Sequence, residues 1–114
     1  MFSFLSGNAG KKKIASVEQS GSWVYIYDLK GERIKTLSTN QVGIVQGFAS
    51  DYFVSKYANW IYLYDVEGRR YKTLTASQVG DIISVSEDCF MSRFGTNIYT
   101  YDKKGTRLRI RAAR

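Results

Sequence analysis

With 114 residues, 44% hydrophobic and 15% aromatic, the chain is long enough for one small domain with a real core, and its composition is not that of a disordered polar tract. The formal charge is +7; with no histidine and a single cysteine, histidine-based triads, an internal disulfide and the common zinc sites are excluded. No stretch approaches the roughly 18 consecutive apolar residues that a membrane helix needs.

The charge is unevenly placed. Residues 14–102 carry eight basic and ten acidic side chains, a net of −2. The excess lies in Lys11, Lys12 and Lys13 at one end and in Lys103, Lys104, Arg107, Arg109, Arg111 and Arg114 at the other. Two basic ends on a near-neutral body make a candidate surface for a polyanion such as nucleic acid.

The chain opens with MFSFLSGNAGKKK, residues 1–13, whose lysines follow a short apolar run. That order is the reverse of a secretory signal, and the expected location is cytoplasmic. The segment is expected either to be a flexible tail or to supply a closing strand to the domain that follows. SGNAGKKK lacks the G-x-x-x-x-G-K-[ST] spacing of a phosphate loop.

From residue 14 the chain repeats. VYIYDLKGERIKTL at 24–37 returns as IYLYDVEGRRYKTL at 61–74 and as IYTYDKKGTRLRIR at 98–111. The pairs Tyr27-Asp28, Tyr64-Asp65 and Tyr101-Asp102 are 37 residues apart, and 14–50 laid over 51–87 without a gap gives 13 identities. A single domain of three repeats is expected over 14–114, divided at about 14–50, 51–87 and 88–114.

Within a copy, VYIYD, IYLYD and IYTYD are dense in β-branched and aromatic residues and are bounded by polar clusters, as strands are. No sustained 3.6-residue period occurs, so helix is expected nowhere. Each run is followed by Asp-x-x-Gly (DLKG, DVEG, DKKG), which suits a tight hairpin in which the aspartate bonds the turn backbone and glycine takes a positive φ. The second copy reads as four strands, GIVQGFA, YFVSKY, NWIYLYD and RRYKTLT, an antiparallel meander. In its third strand Tyr62 and Tyr64 share one face while Ile61 and Leu63 share the other. Both faces are apolar, so both must be covered, as in stacked sheets.

This sequence of inner apolar strand, turn (ASDYF, SEDCF) and I-Y-x-Y-D-x-x-G-x-R-x-K-T-L resembles the blades of β-propeller proteins from about residue 14 to 112. There is no Trp-Asp ending of the WD40 kind. The resemblance implies an all-β fold of three four-stranded antiparallel blades. Propellers close with four to eight blades, so three imply a homodimer that completes a six-bladed ring. A β-trefoil, also built from three four-strand repeats, is the alternative.

The residues that invite chemistry have simpler explanations. Asp28, Asp65 and Asp102 recur at one turn position, where capping accounts for them, and no catalytic, cofactor-binding or metal-ligating set is expected. Cys89, in DCFMSRF, is expected as a strand residue packed in the core. Arg33, Arg70 and Arg107, each followed two residues on by Lys35, Lys72 or Arg109, form a basic stripe that guards an outer strand from edge-to-edge pairing. Tyr25/Tyr27, Tyr62/Tyr64 and Tyr99/Tyr101 are expected to pack between blades. Trp23 and Trp60 stand where the third copy has Asn97, which makes them candidates for stacking on a sugar. The expected function is a non-enzymatic binding or scaffold module for a protein partner. Two alternatives remain: polyanion binding through Lys11, Lys12, Lys13, Lys103, Lys104, Arg107, Arg109 and Arg111, and carbohydrate binding through Trp23 and Trp60.

Overall fold

In a computed structural model, which describes residues 12–113, each Asp-x-x-Gly run closes a hairpin. The Asp28 carboxylate accepts from the backbone N–H groups of Lys30 and Glu32, both at 2.9 Å. Asp65 does the same for Glu67 and Arg69, and Asp102 for Lys104 and Thr106. Gly31, Gly68 and Gly105 sit at φ of 84°, 80° and 91°. Those values admit glycine at little cost and other residues only with strain.

Among the described residues the hairpins and their neighbours give eleven strands. The first sheet holds β1 (Ile14–Ser20), β2 (Trp23–Asp28) and β3 (Arg33–Ser38); the second β4 (Ile44–Phe48), β5 (Tyr52–Tyr57), β6 (Trp60–Asp65) and β7 (Arg70–Thr75); the third β8 (Asp81–Val85), β9 (Cys89–Phe94), β10 (Asn97–Asp102) and β11 (Arg107–Ala112). Every pairing is antiparallel and joins strands consecutive in the chain, giving sheets ordered β1-β2-β3, β4-β5-β6-β7 and β11-β10-β9-β8, so that β4 and β8 pair across the divisions at about 50 and 87. Self-contained meanders do not make the shared barrel of the β-trefoil alternative.

Two expectations are corrected. The first sheet has three strands among the described residues, not four. The position equivalent to β4, 37 residues earlier, falls at 7–11, outside those residues, as does the segment MFSFL. Helix is not absent: single turns α1 (Thr39–Val42) and α2 (Ala76–Val79) join consecutive sheets. Local hydrogen bonding forms them, with the Ser38 hydroxyl accepting from Asn40 N–H and the Gly43 and Gly80 N–H groups closing on Thr39 and Ala76 carbonyls. Four residues are too few to leave a 3.6-residue period in the sequence. The described sheets do not close into a ring within the one chain. The sheets stand in a row with extents of 54 × 30 × 21 Å, and the radius of gyration is 15.2 Å against about 13 Å for a compact domain of this length.

Two apolar layers hold the row together. The face of the first sheet that looks toward the second, its forward face, contributes Val24, Ile26 and Leu37, and Phe53 and Tyr64 on the rear face of the second sheet meet them. The forward face of the second sheet supplies Val54, Ile61 and Leu63, which meet Phe90 and Tyr101 on the rear face of the third. Within each rear face a ring stacks on its cross-strand partner: Phe53 on Tyr64 at 4.9 Å and Phe90 on Tyr101 at 5.1 Å between centroids. The inner strands touch as well, β1 against β4 and β4 against β8. Gly47 on β4 approaches so closely that a Cβ there would lie 2.7 Å from Val85 Cγ2.

Candidate binding surface

The recurring polar residues are spent inside the repeats. Besides the three capping aspartates, the Arg33, Arg70 and Arg107 guanidinium groups lie over the rings of Tyr25, Tyr62 and Tyr99 at 5.4, 4.4 and 4.9 Å. The basic stripe expected to guard an edge is thus also a set of cation–π contacts on the rear faces. The Asp28 carboxyl is held below the usual carboxylate range, chiefly by the Glu32 N–H bond and against the opposing effect of burial. Tyr52 on the second sheet donates its hydroxyl to the carbonyls of Ser86 and Cys89 on the third, at 2.8 and 2.9 Å. Burial pushes its phenol pKa up.

The two basic ends do not meet. Lys11 and Arg114 lie outside the described residues. Lys12 belongs to the contact between the first and second sheets, lining an open recess with Ile34, Lys35, Glu67 and Arg69, and its Nζ is 4.0 Å from Asp28 Oδ2. Lys13 is exposed on the same sheet. Lys103 is held by Asp51 across the second contact, Nζ to Oδ2 2.8 Å, and that bond raises its pKa. Among the described residues of the two basic ends, the structure brings together Lys104, Arg107, Arg109 and Arg111, on the β10–β11 hairpin, and all four are exposed.

That hairpin is the most distinctive surface of the molecule. All six residues of β11 are exposed, with Leu108 at 56% and Ile110 at 51% between the arginines. Trp23 and Trp60 open β2 and β6 and are half exposed, but neither lines the recess around Lys12 nor the one on the rear of the first sheet. Cys89, expected in the core, is only half-buried, because the forward face it shares has no sheet against it.

Cross-strand register exposes two residues that charge counting overlooked. Residues opposite one another in a ladder share a face. Arg93 and Arg111 both pair with Ile98, and Arg109 pairs with Thr100, so all three arginines lie on the open forward face of the third sheet. Glu18 pairs with Tyr25 and Ser16 with Tyr27, which places Glu18 on the open rear face of the first. Arg93 and Glu18 were hidden in a body of near-zero net charge; the 37-residue offset, which equates Glu18 with Ser55 and Ser92, was the signal available for finding them.

No protein-family model matches the chain, and no curated protein matches it in sequence. Among the described residues no group of three or more His, Cys, Asp or Glu is placed to hold a metal ion, and no helix is long and apolar enough to cross a membrane.

Proposed function

We propose that the chain is a non-enzymatic binding module of the β-propeller type: a homodimer completes a six-bladed ring, and the outer strand of the third repeat engages a protein partner. One observation carries the reading. Polar residues common to the copies serve the repeats themselves, whereas on β11 Ile110 and Arg111 replace Thr36/Thr73 and Leu37/Leu74 of the other copies, and Leu108 and Ile110 alternate with Arg107, Arg109 and Arg111 on a strand exposed along its whole length. An exposed edge strand combining apolar side chains with arginine has the composition of an interface centre. The test is affinity capture with the wild-type chain and with a Leu108→Asp/Ile110→Asp variant. A partner held by the first and lost by the second is expected; identical recovery on both contradicts the reading.

A second reading is favoured by the clustering of Lys104, Arg107, Arg109 and Arg111 on one hairpin: the strand binds the backbone of a nucleic acid. Four phosphate contacts give a slope of about −3 to −4 in log affinity against log salt. Fluorescence anisotropy with a mixed-sequence oligonucleotide measures it, and absence of binding at low salt rejects it.

A further inference from the structure

The two internal contacts are templates for a third. Each brings the forward face of one sheet onto the rear face of the next, and each lays a hairpin glycine over a cationic side-chain stem. A Cβ on Gly68 would meet Lys35 Cγ at 3.0 Å, and one on Gly105 would meet Lys72 Cγ at 2.9 Å. At the ends of the row the same two halves are left apart. A Cβ on Gly31 would meet nothing within 4 Å, and Arg109, the counterpart of Lys35 and Lys72, is exposed.

The end faces also depart from the template in a matched way. On the forward side, Leu37 and Leu74 become Arg111, and Gln19 and Lys56 become Arg93. On the rear side, the fully buried Ser55 and Ser92 become Glu18, and the stacked rings of Phe53 and Phe90 become Ser16. Where those rings would fill space there is an open recess of about 360 Å³, lined in part by Ser16, Glu18, Tyr27 and Leu29. One face has gained a cation at Arg111, beside an Arg93 that stands where the internal contacts have Gln19 or Lys56, and the other an anion with room beside it. End caps that only keep two faces wet require no such opposition of sign. The internal counterpart of Arg93 also reaches the next sheet: Gln19 donates to the Gly43 carbonyl at 2.7 Å and accepts from Val45 N–H at 3.0 Å.

We infer that the forward face of the third sheet is a docking surface for the rear face of the first sheet of a second copy, with Arg93 and Arg111 of one chain on Glu18 of the other and the Asp28–Glu32 hairpin over Arg109. The inference rests on the homodimer reading above and specifies its contact. Continued around a two-fold axis it makes two equal seams, each joining a forward face to a rear face.

Charge reversal tests it without the ambiguity of a misfolded variant. Glu18→Arg alone sets like charges against each other in both seams, and so does the double variant Arg93→Glu/Arg111→Glu alone. Each variant by itself is expected to raise the dimer dissociation constant at least tenfold in sedimentation equilibrium. Mixed together they are expected to recover the dimer, because every seam then joins opposite charges, and misfolded chains would not recover. If the wild type dimerises but the variants do so equally well, alone or mixed, this pairing is wrong while the homodimer reading stands. A wild type that remains a single chain at all concentrations removes both.

Discussion

Gly47 offers a direct probe of how tightly the sheets stack. A Cβ added there would sit 2.7 Å from Val85 Cγ2 and 3.0 Å from Val85 Cβ. Carbon contacts relax at about 3.5–4.0 Å, so Gly47→Ala forces an overlap of roughly 1 Å onto a β-branched side chain that prefers one rotamer. Overpacking of this kind costs about 1–3 kcal/mol, and the reduced freedom of the unfolded chain offsets about 0.4–1 kcal/mol of it. The net loss is about 1–2 kcal/mol, a fall in Tm of roughly 5–15 °C for a domain of this size. Val85→Ala removes the obstructing methyl groups and itself costs about 1–2 kcal/mol. In that background Gly47→Ala is expected to be neutral or mildly stabilising. Urea unfolding followed by the fluorescence of Trp23 and Trp60 gives all four corners of the cycle. An equal cost of Gly47→Ala in both backgrounds would show that β4 and β8 do not meet as described.

Three further outcomes are expected. Asp102→Ala deletes two charge-assisted bonds to the Lys104 and Thr106 N–H groups, at 3.0 and 2.9 Å, and should cost about 1–2 kcal/mol in urea unfolding; a neutral result would show that the hairpin does not depend on its cap. Ala58 stands at φ 53° where the other copies have Gly21 at 57° and Gly95 at 61°. Relief of about 1–2 kcal/mol of left-handed strain outweighs the entropy that glycine adds to the unfolded chain, so Ala58→Gly should raise Tm slightly, and a clear drop would contradict the turn geometry. Burial raises the phenol pKa values of Tyr52, Tyr64, Tyr71 and Tyr101 above 10.0, that of Tyr71 to about 12, with the carboxylates of Asp51, Asp65 and Asp102 adding to the burial effect. Above pH 10.0 the unfolded chain has released protons that the folded chain still binds, so stability should decline from about pH 10 toward pH 12 and be indifferent to these groups below about pH 9. A urea midpoint that stays level across that alkaline range would show the phenols to be solvated.

What the sequence disclosed was whatever depends on local periodicity. Alternation in IYLYD placed Ile61 and Leu63 on one face and Tyr62 and Tyr64 on the other, and the Asp-x-x-Gly spacing located three hairpins, because one aspartate and one positive-φ glycine suffice to form them. Features set by contacts between sheets stayed hidden. Lys12 and Lys103 look like members of free basic ends, yet Asp28 lies beside Lys12 through the β1–β2 pairing, and Asp51 engages Lys103 through proximity that only the stacked fold creates. The candidate cluster consequently shrank to the β10–β11 hairpin and gained Arg93 on the adjoining forward face, whose position follows from cross-strand register with Ile98 rather than from charge runs. The turns α1 and α2 escaped because their signals, Ser38 or Thr75 before and Gly43 or Gly80 after, read equally well as loop punctuation.

The account turns on whether two end faces that the row leaves uncovered find each other between chains. Light scattering on the eluting peak of a size-exclusion column, over a range of micromolar concentrations, measures that directly. A particle of twice the 13.0 kDa chain mass is expected. A single-chain mass throughout, or a series that grows without limit as concentration rises, would contradict a ring completed by two copies.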